Sequence, residues 1–589
     1  MSGTTWVYVF LGLYTAYCLW MGLKGYFSSK TSSSYTVAGR SIPFIAFLMA
    51  ATAASFSGWT FIGHPGAIWA VGLVYAFCSM YVVVIPMTGT FFAKRNWLLG
   101  KRYGFITPGD MYAYYYNSEA LRWLTVVVAV LYSVFYSALQ FIASAALFNV
   151  ICGVPMIVGA LFMAGICWFY VCAGGIKASA WVGVLQAVLM FTGIVILGIV
   201  VLSHFGGFTP FITEVSKLEA KYFEVPGLIH FGLGRKWTAL FILTYMFALM
   251  GIQSSPAFTM WNFSIKSPKP LAWQQAFMTT FMVGFCLFFF AAFQGMGVKV
   301  MQLQGVAAFA ELTKDSAAVP LLMKNFMPPV LLGLVFMGGI SAIHSTAAPY
   351  VGSGGSILLR DVYWRYIRKG KAGDAEQVWV NRIFGTVITA LALIVGFKST
   401  AMLVILGAFA TAFGALMFIL QLGVLWGWKF PRIGAVLGLL VGIVTVIVTY
   451  NMKLFTFDPA FWGTGLGLLI AYLCRGMGFK DDPETLERQA EVREWLASID
   501  SPSENGRKWR KACKVIVPIW FFFGIGPGIL LSSKAFSFAN FPAIWSWQSA
   551  WWLYAVFMMY ALCFKAEFST SSADAIERAD KEQMLVVEQ

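Results

Sequence analysis

The sequence predicts an all-α membrane protein with many spanning helices, and three observations carry that prediction. Of the 589 residues, 59% are hydrophobic and only 11% are charged, whereas a soluble domain has roughly 25% charged residues. Apolar stretches of about 20 residues recur from one end of the chain to the other, as a bundle of membrane helices requires. Lys and Arg gather in alternate loops between these stretches. Together these features exclude an ordinary soluble domain.

The net charge of +16 belongs to those loops. Cytoplasmic loops of membrane proteins collect Lys and Arg, and no basic stretch here alternates with stacking aromatic residues on a soluble module. We therefore attribute the positive charge to cytoplasmic loops and expect no nucleic-acid partner. The loops predict an N-terminus outside and a C-terminus inside. Hydropathy predicts about 15 helices, centred near Tyr14, Ser55, Val83, Tyr136, Met163, Met190, Ala248, Cys286, Ile340, Ala390, Ala412, Val441, Leu469, Phe522 and Tyr554.

Composition divides the chain into four parts. Residues 1–475 form the predicted core with its leading helix, 476–511 a cytoplasmic loop, 512–565 two additional membrane helices, and 566–589 a short disordered cytoplasmic tail. The loop carries a helix start, because Asp482-Pro483-Glu484 combines an N-cap, a first-turn proline and an acidic first turn. We expect an amphipathic helix that packs on the bundle, with a regulatory surface as the alternative; its apolar stripe consists of Val492, Trp495, Leu496 and Ile499.

Two predicted helices are interrupted by small and polar residues. The first broken helix carries Ser55-Phe56-Ser57-Gly58, and the second broken helix carries Gly251-Ile252-Gln253-Ser254-Ser255-Pro256. Loosened backbone at membrane depth survives only where it lines a protein-enclosed cavity, and paired interruptions indicate an inverted repeat with its site at the midplane. Two simple proline kinks are the alternative. We favour the site, which is typical of a transporter.

A third helix, here called the hydroxyl helix, places Ser345 and Thr346 side by side in an apolar stretch. Sodium is a small, hard ion that takes oxygen ligands, and the loosened first broken helix would supply carbonyl oxygens. Alternatively, both hydroxyl groups bond back to carbonyl groups one turn earlier, as Ser and Thr in membrane helices often do. The presence of the broken helix favours a sodium site.

These features resemble the sodium/solute symporter family, which includes bacterial proline, pantothenate and sialic acid permeases and animal glucose cotransporters. The similarity runs from about residue 5 to about residue 475. Segments 57–63 and 65–67 are especially similar to the proline-permease branch. The remaining similarity, strong in its order and spacing, lies in segments 35–41, 174–178, 342–346, 361–363 and 408–414 and in Trp181 and Gln186.

The resemblance implies the five-plus-five inverted-repeat fold of the leucine transporter, with a leading helix before it and additional helices behind it. It implies no cofactor, no enzymatic activity and no metal other than sodium. It also implies a sodium site built from the carbonyl oxygens of Ala53, Phe56 and Ala342 and the hydroxyl oxygens of Ser345 and Thr346. The solute would lie beside the two breaks, against Ser55, Ser57, Gly58, Trp59, Gln253, Ser254 and Ser255.

Departures from the family pattern bear on stoichiometry and substrate. Gly183 stands where many members carry Asp, and Ala348 and Pro349 stand where members with a second sodium carry hydroxyl groups. The resemblance therefore implies one sodium ion. Ser55 replaces an Asp of the proline permeases, which argues against proline as the substrate.

His64 and His344 lie at membrane depth. Proton coupling or carboxylate binding is one interpretation, and a structural role with hydrogen bonds inside the bundle is the favoured one. No acidic residue lies in either break, which argues against a strongly cationic solute. The free N-terminus of a half-helix suits a carboxylate.

We therefore expect a sodium-coupled symporter of the plasma (inner) membrane that imports a small monocarboxylate or a neutral amino acid. The alternatives are a membrane-embedded sensor built on the same fold and proton-coupled uptake through His64 and His344. The expected partners are the solute, Na⁺ and membrane lipids. The sequence leaves the oligomeric state open, a monomer included.

Overall fold

The computed structural model describes residues 2–228, 236–398, 403–454, 456–538 and 540–583. A helical segment lies at each of the predicted helix centres. Within the described residues, 9 helices are long and apolar enough to cross a membrane, or up to 12 if each bent pair is one span. The all-α membrane fold is thus confirmed, while the predicted number of crossings and their orientation stay predictions.

The first half of the core contains the leading helix and the first broken helix. Its last two predicted spans, centred near Met163 and Met190, are joined at Gly175, whose φ of 65° favours glycine. The helices predicted near Met163 and Met190 therefore meet at a kink at Gly175, and α6 denotes the two together. The helices are α1 (Gly3–Ser28), α2 (Phe44–Ser55), α3 (Trp59–Val71), α4 (Leu73–Tyr103), α5 (Glu119–Cys152) and α6 (Met156–His204).

The second half of the core contains the second broken helix, formed by α7 and α8, and the hydroxyl helix, α11. A shorter helix, α10, comes directly before α11. The bounds are α7 (Ala239–Ser254), α8 (Pro256–Ser264), α9 (Lys269–Leu303), α10 (Asp315–Phe326), α11 (Pro329–Ile367), α12 (Asp374–Lys398) and α13 (Leu406–Trp426).

Two further helices, α14 and α15, complete the predicted core, and the remaining helices follow it. The bent pair α17 and α18 meets at an angle of 57°, near the predicted centre Phe522. The bounds are α14 (Arg432–Asn451), α15 (Pro459–Gly476), α16 (Pro483–Ile499), α17 (Glu504–Ile525), α18 (Pro527–Lys534), α19 (Ala543–Tyr560) and α20 (Ala573–Lys581).

Helix α16 lies where the sequence predicts an amphipathic helix. The Asp482 side chain caps it by accepting a hydrogen bond of 2.9 Å from the Thr485 backbone N–H, because the first N–H groups of a helix have no partner within it. Its apolar stripe is buried, so the stripe packs on the bundle. The predicted position of this helix in the cytoplasm stays a prediction.

The described residues of the tail, which the sequence predicts to be disordered, make hydrogen bonds to earlier parts of the chain. Lys94 Nζ donates hydrogen bonds of 2.6 Å and 2.9 Å to the carbonyl oxygens of Glu567 and Thr570. Helix α20 follows, and Trp495 Nε1 donates a bond of 2.7 Å to the Glu582 carboxylate. Residues 584–589 of the predicted tail lie outside the described residues.

Three packing relationships position the site. Helix α2 packs against α6 and α11, and α7 packs against α4 and α13. The backbone of Ile42, before α2, exchanges hydrogen bonds with Ser264 (3.1 Å) and Lys266 (3.0 Å), after α8. The two broken helices are therefore tied together at one end of the bundle. This end, where Lys94, Arg122 and helix α16 lie, is here called the basic face.

Candidate functional site

The first broken helix opens between α2 and α3, which meet at 54°. Phe56 has extended backbone angles (φ −127°, ψ 121°), so helical hydrogen bonding is interrupted there. Two side chains take over the N–H groups that the break sets free. Gly58 N–H donates to Gln140 Oε1 (3.0 Å), and Trp59 N–H donates to Ser57 Oγ (3.2 Å). The break is thus an interruption of the helix in which two freed N–H groups are hydrogen-bonded by side chains, and it is not a simple bend.

The second broken helix opens at Ser255 (φ −60°, ψ 156°), where α7 and α8 meet at 40°. Ser255 Oγ caps α8 by accepting a bond of 3.4 Å from the Phe258 N–H. Ser254 Oγ donates a bond of 2.8 Å to the carbonyl oxygen of Gly414 on α13. Of the two predicted solute-binding serines, one therefore caps the half-helix and the other joins α7 to α13.

Five oxygen atoms from the first broken helix and the hydroxyl helix converge. Ser345 Oγ lies 3.0 Å from the carbonyl oxygen of Ala53 and 3.2 Å from that of Ala342. Thr346 Oγ1 lies 3.2 Å from the carbonyl oxygen of Phe56 and 3.3 Å from that of Ala342. These are the five atoms that the family resemblance assigns to sodium.

Both earlier interpretations of the hydroxyl pair have a counterpart in this geometry. Each hydroxyl reaches the Ala342 carbonyl one turn earlier on its own helix, and each also reaches a carbonyl of the first broken helix. Back-bonding alone would leave the carbonyl oxygens of Ala53 and Phe56 out of contact. The five oxygens are buried between two helices, and their chemistry fits a hard monovalent cation.

Ser55 and Gln253 connect the two breaks. Gln253 Nε2 donates a hydrogen bond of 3.3 Å to Ser55 Oγ, which in turn donates to the Ala51 carbonyl oxygen at 3.0 Å. Trp59 lies on the other side of the first break, with its Nε1 donating to the Tyr75 hydroxyl at 3.2 Å. Ser55, Trp59 and Gln253 are each no more than 5% exposed, so all three side chains are buried in this structure.

The two histidines differ in their surroundings. His344 Nε2 lies 3.0 Å from the Met163 carbonyl oxygen, which only accepts, so Nε2 donates. Its Nδ1 therefore accepts from the Tyr14 hydroxyl at 2.9 Å. With both nitrogens used, His344 ties α11 to α1 and α6, as the structural interpretation expects.

His64 lies nearer to the first break and keeps one nitrogen free. Its Nε2 pairs with Ser79 Oγ at 2.9 Å, while Nδ1 is buried without a hydrogen-bond partner in the described part of the chain. The rings of Trp59, Tyr75 and Tyr81 surround it at centroid distances of 5.3–5.8 Å. His64 is thus enclosed by these three aromatic side chains.

Sequence reasoning missed the side chains that complete the first break. Gln140 on α5 caps it, and Tyr75 and Tyr81 on α4 enclose Trp59, whose ring lies 4.5 Å from that of Tyr81. A single glutamine or tyrosine in an apolar helix carries no local signal of such a role. Only the packing of α4 and α5 around the break brings them together.

The position of Gly183 leaves no room for a side chain. A Cβ atom there would lie 2.6 Å from the Cβ and 3.0 Å from the Cα of Ala50 on α2, far inside a normal van der Waals contact. Helix α2 therefore packs directly on α6 at the position where the family resemblance would lead us to expect an aspartate. Placing a carboxylate at Gly183 would require the backbone of α2 to move.

A network of buried charged side chains lies at the basic face. Arg122 Nη1 lies 2.7 Å from Asp110 Oδ1 and 2.6 Å from Asp361 Oδ1, and all three side chains are buried. Burial opposes ionisation of Asp110, but the guanidinium groups of Arg360 and Arg122 outweigh it and hold the pKa of that carboxyl below its ordinary value. This network joins α5 to the end of α11.

The sequence pattern of the sodium:solute symporter family matches residues 35–442. The chain belongs to this family. The family consists of transporters and implies Na⁺ as the coupling ion together with a small-molecule solute. The protein is therefore a sodium-coupled solute symporter, and its many apolar helices make it an integral multi-pass protein of the plasma membrane. The sensor and proton-coupled alternatives are not favoured.

Relatives of known name cover most of the chain. The high-affinity proline transporter of Bacillus subtilis (strain 168) is 25% identical over 456 residues, which are 74% of this chain and 91% of that protein. The sodium/pantothenate symporter of Haemophilus influenzae is 25% identical over 455 residues, 75% of this chain and 89% of that protein. Symporters of two different solutes are thus about equally similar to this chain.

Among solved structures, a Na⁺-coupled sialic acid symporter in a substrate-bound outward-open state has a similar fold. The TM-score is 0.68 at 17% sequence identity, and the match covers 81% of this chain and 99% of that one. The predicted leucine-transporter-type fold is confirmed by this similarity.

Proposed function

We propose that this symporter imports a small monocarboxylate or neutral amino acid together with one sodium ion. The observation that carries the proposal is the convergence of three carbonyl and two hydroxyl oxygens between α2 and α11. The distances from hydroxyl oxygen to carbonyl oxygen are 3.0–3.3 Å. In the proposed site, Ala53, Phe56, Ala342, Ser345 and Thr346 hold the ion, which replaces the hydroxyl hydrogen bonds with direct ligation. No catalytic step and no bound cofactor is part of this proposal.

The proposed solute site lies at the first break. The N–H groups of Gly58 and Trp59 are held by Gln140 Oε1 and Ser57 Oγ, two oxygen atoms that stand where the oxygens of a carboxylate would go. A half-helix N-terminus carries partial positive charge, which favours an anionic group. No Lys or Arg stands beside these atoms among the site residues named above, so one carboxylate is the most charge that the site would accept.

The apolar part of the solute would lie against aromatic rings. Trp59 and Tyr81 form one wall near the break, and Gln253 supplies polar contacts from the opposite broken helix. An aromatic wall with few polar groups is typical of small-molecule sites. Ser55, without the carboxylate that proline permeases carry there, supports a solute other than proline.

Sodium binding would drive import through linkage. An ion held by α2 and α11 ties the broken helix to the hydroxyl helix, so it stabilises the conformation in which those helices touch. Solute binds beside it, and the change to the inward-facing state separates the two helices and releases both. For a neutral amino acid, a membrane potential of 100 mV adds about 2.3 kcal/mol per charge, which supports roughly fifty-fold accumulation. A monocarboxylate moved with one sodium ion carries no net charge, so the sodium gradient alone would drive its import.

Uptake into proteoliposomes tests the proposal. The purified symporter would be reconstituted and offered a panel of labelled monocarboxylates and neutral amino acids with a sodium gradient, and again with a potassium gradient. We expect sodium-stimulated uptake of at least one of these compounds and none in the Ser345→Ala/Thr346→Ala variant. Uptake driven equally by a proton gradient without sodium would contradict the proposal.

A further inference from the structure

Away from the transport path, an open pocket of about 600 Å³ lies at the basic face. Three segments form its walls: the connection between α13 and α14, the residues that follow α15, and one side of α16. Four cationic side chains line it, contributed by all three walls. They are Lys429, Arg475, Lys480 and Arg493.

The positive charge of this pocket is not neutralised from within. In the part of the chain that the structure describes, none of the four cations forms an ion pair. The carboxylate of Asp481 also lines the pocket, but its two oxygens already accept bonds from the Arg432 N–H (2.7 Å) and Gln489 Nε2 (2.9 Å). Glu494 is the second carboxylate. Four cations against two carboxylates leave an excess that suits an anionic ligand.

The pocket lies where membrane helices end. Lys429 belongs to the five residues between α13 and α14, and Arg475 lies in the last turn of α15. Large apolar side chains next to the cations are exposed: Trp428 (51%), Met477 (74%), Phe479 (47%) and Leu486 (47%). Exposed aromatic and aliphatic residues beside Lys and Arg are typical of the headgroup level of a bilayer.

We propose that this pocket binds the headgroup phosphate of an anionic phospholipid. Arg475, Lys480, Lys429 and Arg493 would surround the phosphate, as basic pockets between membrane helices do. The exposed apolar rim favours a lipid over free phosphate, because only a lipid brings acyl chains that cover it. The charge rule assigns the basic face, and hence this lipid, to the cytoplasmic leaflet.

Helix α16, which forms one wall of the pocket, also contacts the core. A lipid bound in the pocket could therefore affect the transport helices. On its other side, Glu491 accepts hydrogen bonds from the hydroxyl groups of Tyr103 (3.0 Å) and Tyr114 (3.2 Å), and Arg102 lies 3.4 Å away. Tyr103 is the last residue of α4, which carries the aromatic group beside the first break. A bound headgroup would therefore hold α16 against the end of α4.

Native mass spectrometry of the purified full-length protein tests the assignment. The protein would be titrated with phosphatidylglycerol, with phosphatidylcholine and with inorganic phosphate. The pocket variant is Arg475→Gln/Lys480→Gln/Arg493→Gln. Its matched control, Lys508→Gln/Lys511→Gln/Lys514→Gln, removes the same charge from exposed positions of α17 on the same face. Thermal unfolding of both variants checks that they fold, and single Lys480→Gln serves if the triple variant does not.

We expect phosphatidylglycerol to remain bound to the wild type and to the control variant, with at least tenfold weaker binding to the pocket variant. Phosphatidylcholine should bind all three proteins equally weakly. Equal loss in the pocket and control variants would overturn the assignment, because it would mean that the net charge of the face, and not the pocket, holds the lipid. Displacement of the lipid by millimolar inorganic phosphate would also overturn it in favour of a soluble anion.

Discussion

The hydroxyl group of Ser345 on α11 lies 3.0 Å from the carbonyl oxygen of Ala53 on α2, although 292 residues separate them in the sequence. This contact joins the first broken helix to the hydroxyl helix through one atom on each side. Thr346 and Phe56 repeat the arrangement at 3.2 Å. The two helices are therefore connected by polar contacts that an ion could strengthen and a conformational change could break.

The first prediction concerns these two hydroxyl groups. Ser345→Ala/Thr346→Ala removes two of the five proposed oxygen ligands, so we expect sodium-stimulated uptake to be lost while membrane insertion is retained. Ser341→Ala is the matched control, because Ser341 is equally buried on α11 and its hydroxyl has no hydrogen-bond partner among the described residues. Unchanged sodium dependence in the double variant would show that the ion binds elsewhere.

A second prediction concerns stoichiometry. Because Gly183 packs on Ala50, and Ala348 and Pro349 lack hydroxyl groups, we expect one sodium ion per solute. A neutral solute should then carry one positive charge per cycle, and a monocarboxylate should be transported without net charge. Reversal potentials measured in vesicles separate these cases, and a firm ratio of two sodium ions per solute would refute the argument from these residues.

The third prediction tests the solute site. Trp59→Ala removes an aromatic wall and Gln253→Ala removes the amide that bridges the breaks, so each should weaken solute affinity about tenfold, or about 1.4 kcal/mol. Sodium affinity should change less. Gln294→Ala is the control, because it removes the same type of side chain from a position outside the proposed solute site. The Gln294 amide donates to the Ile194 carbonyl oxygen (3.1 Å) on α6. Calorimetry on folded protein is the measurement, and native affinity in both site variants would place the solute elsewhere.

A fourth prediction concerns the buried ion pair between Lys94 and Asp500, whose side chains are 4% and 5% exposed and lie 2.5 Å apart. Asp500→Asn leaves Lys94 and Arg95 buried without their counter-charge, which costs about 3–5 kcal/mol in comparable pairs. We expect a clear fall in the thermal unfolding temperature in detergent. Glu504→Gln breaks only the exposed pair with Lys508 and should have no measurable effect; an equal effect of both variants would contradict the prediction.

The last prediction is a pH dependence of stability from Asp315, at the start of α10. Burial raises the pKa of this carboxyl from 3.8 to about 6, and the Ser316 backbone N–H offsets burial only in part. Because the folded-state value is the higher one, this group's contribution to stability is complete below about pH 3.8 and is lost as the pH rises through about 6.

Asp315→Asn should therefore be more stable than the wild type at pH 7.5, by up to about 3 kcal/mol. The difference should shrink as the pH falls to 5 and below. Unfolding temperatures of both proteins over this range give the difference directly, so that other titrating groups cancel. A difference that does not change with pH would show that the carboxyl is not the titrating group.

The helix breaks and the hydroxyl pair could be predicted from the sequence because their signals are local. Glycine, proline and hydroxyl residues inside an apolar stretch already oppose a regular lipid-facing helix. The capping of the first break by Gln140 could not be predicted, since nothing near Gln140 in the sequence indicates which backbone N–H it meets. The same holds for Tyr75 beside Trp59.

The tail is a second case in which sequence composition does not indicate the contacts that the residues make. Its polar composition is typical of disorder, yet its described residues are ordered by Lys94 and Trp495, which lie far away in the sequence. The separate roles of Ser254 and Ser255 also needed the packing of α7 on α13 to become visible. Sequence patterns thus predict the candidate site, while contacts between distant helices determine which of its atoms already have hydrogen-bond partners.

The hydrogen bonds of Lys94 have a consequence for how the protein is made. Its partners Glu567 and Thr570 are synthesised 473 and 476 residues later. During translation, α4 can therefore make these two contacts only after the segment that contains Glu567 and Thr570 has been synthesised. A chain truncated before Glu567 would keep the ion pair of Lys94 with Asp500 and would lose both carbonyl contacts that hold the Lys94 ammonium group at the basic face.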